Sequence, residues 1–152
     1  MRLIESDKEY IEQFAQLSTP KFSIKVFNNR GIENIKNILL IDYLSEACGV
    51  DGGGIYFFYD DEELTKAMDY IRVVDADAYR YMEDYIFPND NEGVQGKILY
   101  KREVGETKDY ETQWVEIKLT KRLLEWKDNG IFPNIDEVEK DYAVNNKSRS
   151  QP

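Results

Sequence analysis

The chain of 152 residues contains no histidine, a single cysteine and only four prolines. The missing histidine excludes Ser-His-Asp and Cys-His nucleophile activation, histidine general acid-base catalysis and the common zinc sites. The lone Cys48 allows no intramolecular disulfide and suits a reducing compartment. It also has no histidine to activate it, so burial near a helix end is the expectation for this thiol. The N-terminal Met1–Asp7 segment has no apolar signal region, and no stretch approaches the roughly 20 apolar residues of a membrane span. On these grounds the sequence predicts a cytoplasmic protein with no membrane partner.

What is present is apolar mass and negative charge. Hydrophobic residues make up 41% and aromatics 13%, with eleven tyrosines, which is enough to pack an interior and excludes wholesale disorder. No internal repeat or linker divides the chain, so one domain over 1–144 with a flexible polar tail at 145–152 is predicted.

Ser6–Glu9 has the form of a capping box and predicts a first helix that Pro20 ends. Phe22, Ile24 and Val26 alternate with Ser23 and Lys25 and predict a short strand, closed by a turn at 28–31. Apolar residues from Ile32 to Cys48 cover more than one helical face, so a central buried helix is expected there, capped by Gly49. Asp60–Glu63 place acids where a helix N-terminus favours them, ahead of Leu64, Ala67, Met68 and Ile71. Asp75 or Asp77 would cap another helix through Tyr79, Met82 and Ile86, with an exposed loop at 88–93. Two readings of the next stretch compete. One is a hairpin near 97–117 followed by a helix from about Leu119, and the other is a single helix from Asp109 to Gly130. The fold class expected is therefore mostly α, an α-rich α+β domain with a minor β element.

Net charge is -10, and the segment 51–92 holds twelve acids and three bases, so nearly all of the excess lies there. Direct binding to nucleic acid or an anionic membrane would oppose this field, whereas a basic protein would be attracted. On predicted helices, Asp60, Asp61, Glu62, Glu63, Asp69, Asp75, Asp77, Glu83 and Asp84 would form the partner-binding surface. Asp51-Gly52-Gly53-Gly54 marks a structural turn or a pocket: it lacks the Lys-Ser or Lys-Thr of a phosphate loop and the spacing of a dinucleotide site. Neither Asp60–Glu63 nor 89–93 matches a calcium-binding loop, so no metal, cofactor or catalytic residue is assigned.

The run from Val50 to Tyr59, an acidic segment, Asp75-Ala76-Asp77-Ala78-Tyr79 and Phe87-Pro88 resemble a bacterial family of uncharacterised domains that includes an acidic DNA-mimic protein. The resemblance covers about residues 36–88. It implies a largely helical fold without catalytic activity and, in the DNA-mimic member, a dimer whose acidic surface occupies a transcription factor's DNA site. Asp51 stands where that family usually has Asn before the paired glycines.

The function expected from charge and resemblance together is a non-catalytic acidic interaction protein. It would bind and inhibit a basic nucleic-acid-binding regulator, defence protein or toxin, in the manner of a DNA mimic or an immunity protein, and it is compatible with a homodimer. The competing expectation is a small enzyme or ligand-binding protein with its pocket around Asp51–Tyr59.

Overall fold

The computed structural model describes residues 20–46, 49–75, 79–106 and 116–133. The predicted first helix, Cys48, Asp77 and the tail lie outside these residues. Within them, eight strands form one antiparallel sheet in chain order: β1 (Lys21–Asn28), β2 (Asn37–Glu46), β3 (Gly49–Tyr59), β4 (Leu64–Asp75), β5 (Tyr79–Ile86), β6 (Ile98–Glu106), β7 (Glu116–Lys127) and β8 (Gly130–Phe132). No helix occurs among the described residues, and none is long and apolar enough to cross a membrane.

This overturns the mostly helical fold and with it the helical organisation implied by the family resemblance. The predicted strand at 22–27 is present as β1, and β6 pairs with β7 as the arms of a hairpin. Where helices were expected, the described residues form strands instead: 37–46 of the 32–48 helix, 64–75 of the one from Asp61, 79–86 of the one from Asp75, and 119–127 of both the helix from Leu119 and the alternative 109–130 helix.

The physical reasons differ from strand to strand. In β2, Ile38 and Leu40 enter the main core while Leu39 and Ile41 join a second apolar cluster with Ile55 and Phe57. Both faces are covered, so alternation disappears and the sequence reads like a buried helix. In β4 a bulge interrupts the pairing: Tyr56 faces Met68 and Phe57 faces Lys66, leaving Ala67 as the extra residue. That insertion turns a period of two into a local three-residue spacing, which mimics a helical stripe. In β7, Leu119 and Leu123 are four apart and share a face in a strand as well as in a helix; both are about half exposed.

The sheet coils around one core. Tyr56 and Phe58 of β3 meet residues from the second half of the chain: Phe58 packs edge-on against Trp126 at 4.8 Å, and Tyr56 lies 6.0 Å from Tyr85 and 5.4 Å from Phe87. Aromatic pairs at these separations add to the burial itself. β8 returns against β4 after a two-residue turn in which Asp128 and Asn129 both have positive φ, as a tight hairpin turn requires. At one end, the Arg30 guanidinium stacks over Phe87 at 4.1 Å and Phe27 at 5.0 Å while pairing with Asp90. Asp90 also accepts the Phe87 amide at 2.9 Å, so the loop at 88–93 is tied to the turn after β1.

Gly52, Gly53 and Gly54 lie inside β3, which corrects the reading of this segment as a turn. A Cβ at Gly53 would fall 2.5 Å from the Tyr70 carbonyl oxygen and 3.0 Å from the Tyr43 ring. The obstacle is backbone, so Gly53→Ala is expected to destabilise the fold by about 1–3 kcal/mol in urea denaturation. Gly130→Ala meets only ordinary contacts, the nearest at 3.4 Å, and serves as the near-neutral control. Equal stability of the two variants would contradict the packing described.

Candidate functional site

The concave face opens into a pocket of about 290 Å³ at the end of the sheet where β1 begins and β4 ends. Its formation follows from the sequence of β3. Gly52 and Gly54 alternate onto the same face as Tyr56 and Phe58 and supply no side chain; Gly52 lines the open space, while the room over Gly54 is taken by its neighbours Tyr70 and Leu40. The Tyr70 ring lies across Gly54, where a Cβ would sit 2.8 Å from it, and forms one wall.

The other walls carry charge. Lys21, Lys25 and Arg72 line the pocket together with one acid, Asp42. Asp42 accepts Lys25 Nζ at 2.7 Å and the Ser23 hydroxyl. Arg72 stacks on Tyr70 at 4.9 Å and pairs through Nη2 with Asp84, while its buried Nε has no hydrogen-bond acceptor among the described residues. In a chain of net charge -10, the pocket inverts the local sign.

A second polar centre lies next to Arg72 in the chain, at Ile71. The β4–β5 ladder runs only from Asp75/Tyr79 to Arg72/Met82, and beyond it side chains of β5 satisfy the backbone of β4. Glu83 accepts the Ile71 amide at 2.9 Å, the Tyr81 hydroxyl at 2.9 Å and the Tyr100 hydroxyl at 2.7 Å. Tyr85 donates to the Asp69 carbonyl at 2.8 Å. Glu83 is buried, and so is Arg102, which faces it across the β5–β6 ladder. Burial first, and then the negative charge of Glu83, push the Tyr81 phenol up to about 12 and raise Tyr100 as well. Tyr56, Tyr70 and Tyr85 are also held above the usual phenol range, chiefly by burial.

The residues predicted to form one acidic surface are dispersed. Asp60, Asp61, Glu62 and Glu63 make the β3–β4 turn. There the Asp60 carboxylate accepts the amides of Glu62 at 3.0 Å and Glu63 at 2.9 Å, which hold it below the usual carboxylate range. Those are the amides a helix N-cap would take, so the same local chemistry serves a turn. Asp61 pairs with Lys36 and Asp69 with Lys66. The backbone of Asp75 lies at the far end of β4, roughly 36 Å from the turn at about 3.3 Å per residue. Glu83 is interior, and Asp84 is the Arg72 partner.

Of the glycine segment, Gly52 and Gly53 do line the pocket, and Asp51 alternates to the opposite face. Sequence reasoning missed Lys21, Lys25, Asp42 and Arg72. The alternation that revealed β1 already placed Ser23 and Lys25 on one face, but Asp42 was hidden inside an apolar run. Among the described residues no group of three or more acids or cysteines is arranged to hold a metal. Comparison with family models, with curated proteins and with solved structures found no match.

Glu83→Gln retains shape but supplies one acceptor oxygen where three donors converge, so a loss of about 1–3 kcal/mol is expected in urea denaturation. A change below about 0.5 kcal/mol would show that the network carries no stability. The raised Tyr81 pKa has a signed consequence. The fold binds this proton more tightly than the unfolded chain does, so its contribution is whole below about pH 10 and lost as pH climbs through about 12. Denaturation midpoints measured at rising pH should decline across that window, and a flat profile would refute the assignment.

Proposed function

We propose that the protein is a non-catalytic binding module that takes a small organic anion, a carboxylate or phosphate on an apolar body, in the glycine-floored pocket. The observation that carries this reading is the convergence of Lys21, Lys25 and Arg72 on a concave, partly aromatic site in an acidic chain. The volume, about 290 Å³, lies at the lower edge of the range for ligand pockets, which favours a small molecule. Two of the cations, Lys25 and Arg72, are partly exposed. Lys25 and Asp42 form a pair whose lysine is 52% exposed, and Arg72 and Asp84 are each about 40% exposed. The exposed Arg72–Asp84 pair contributes about 0–1 kcal/mol, so a ligand anion can replace Asp84 at little cost. Asp42, by contrast, is only 19% exposed and stays with Lys25, whose ammonium has further protons to donate. In this reading the protein works in the cytoplasm, without a cofactor.

A second reading keeps the acidic surface as a docking site for a basic protein such as a nucleic-acid-binding regulator, a defence protein or a toxin. The exposed Asp61, Glu62 and Glu63, gathered in one turn, favour it. It ranks second because the other acids assigned to that surface are interior, ion-paired or a strand length away, or lie outside the described residues.

The test is a titration followed by amide chemical shifts, using inorganic phosphate, a phosphate monoester and small aromatic carboxylates at low and high salt. Shifts should concentrate at Ser23, Asp42, Gly52, Gly53 and Tyr70. Affinity should fall about tenfold, roughly 1.4 kcal/mol, in Arg72→Gln and weaken with salt. Absence of shifts at these residues with every probe, or binding indifferent to Arg72→Gln, would overturn the reading.

A further inference from the structure

Strand β1 carries an apolar row that its own sheet does not use. Phe22, Ile24 and Val26 are 45%, 66% and 67% exposed, although they stand opposite Tyr43, Ile41 and Leu39 in the ladder with β2. Among the described residues β1 has a strand partner on one side only. A flat apolar edge of this kind is a template for another strand.

We propose that β1 pairs with β1 of a second copy of this chain, antiparallel about a twofold axis through Ile24, joining two sheets into one. The sequence of the strand is self-complementary in that register. Phe22 of each copy stands opposite Val26 of the other, Ile24 opposite Ile24, and Ser23 opposite Lys25. The apolar row becomes continuous on the outer face. On the inner face each Lys25 faces the other copy's Ser23, whose hydroxyl is bonded to Asp42, so lysine and carboxylate charges alternate across the axis. The two neighbouring registers of the same parity centre on Lys25, which sets Lys25 against Lys25, and on Ser23, which sets Lys21 against Lys25 twice, and like charges directly opposed are destabilising. A slip of one residue would turn the apolar row against Ser23 and Lys25. Charge and polarity thus select the axis at Ile24 and a second copy as the partner. An isologous contact of this kind closes at two copies.

The inference stands apart from the ligand reading, and its test needs no ligand. Sedimentation equilibrium of the full chain should give a dimer, weakened at least about tenfold by Ile24→Lys. The Ile24 side chain is exposed, so this variant should keep the circular dichroism of the parent. The register is read by crosslinking in a Cys48→Ser background. Ile24→Cys should form an intermolecular disulfide with itself, because directly opposed Cβ atoms lie about 4.5–5.5 Å apart. Phe22→Cys should not crosslink with itself but should crosslink with Val26→Cys when the two are mixed. A wild-type chain that stays monomeric overturns the proposal. So does a dimer indifferent to Ile24→Lys, which would place the contact elsewhere, or one in which Ile24→Cys fails to crosslink.

Discussion

The Glu83 carboxylate holds together the point where the sheet would otherwise come apart. To enclose a core, β5 must leave β4, and after Arg72/Met82 the ladder ends. The backbone groups freed by that divergence are partly buried, and an amide left without an acceptor away from water costs about 1–3 kcal/mol. Glu83 supplies an acceptor to Ile71 and at the same time collects the hydroxyls of Tyr81 and Tyr100. Tyr85 does the reciprocal work by donating to the Asp69 carbonyl. One acid and a set of tyrosines from β5 and β6 thereby replace the ladder. The curvature they permit brings Trp126 of β7 onto Phe58 of β3. The next residue on β5, Asp84, pairs with Arg72, so the strand that closes the core also fixes a cation at the mouth of the pocket.

This arrangement explains why so little of the fold was legible in the sequence. Only β1, with one face polar, and β6, the first arm of the expected hairpin, showed their structure openly, whereas most of β7 was read as a helix from Leu119. Elsewhere the period of two was concealed by features that a coiled sheet needs. Burial on both faces filled β2 with consecutive apolar residues. The bulge at Ala67 shifted the phase of β4 in mid-strand. In β5 the repeat was present as Tyr79, Tyr81, Glu83 and Tyr85, but the three- and four-residue offsets of Tyr79, Met82 and Ile86 offered a helix just as readily. A helix cap and an Asp-led turn also use the same amides, so Asp60 gave a correct local signal that served another element.

The same difference accounts for the acidic residues. On two adjacent helices, acids separated by ten or twenty positions in sequence can share a face within one helix diameter. On extended strands those intervals become tens of ångströms, and alternate residues pass to opposite faces. A cluster in sequence therefore became a turn, two surface ion pairs, an interior hub and the partner of an arginine. The glycine segment was a better guide, because its meaning does not depend on the element that carries it. Missing side chains leave space in a strand as they do in a turn.

That space and the outer edge of β1 belong to one region. Lys21, Phe22, Ser23 and Lys25 line the pocket from β1, the strand that also presents Phe22, Ile24 and Val26 outward. Alternation divides the labour: odd positions turn toward Asp42 and the pocket, and even positions form the apolar row. A strand buried on both sides would have lost this division, as β2 did. The position of β1 at the edge keeps one face polar enough to hold charge beside the glycines and the other apolar enough to meet a copy of itself. Pairing about Ile24 would bring the two pockets to either side of the axis and set Ser23 and Lys25 of each copy, which line its pocket, beside those of the other, so assembly and ligand binding would share residues of one strand.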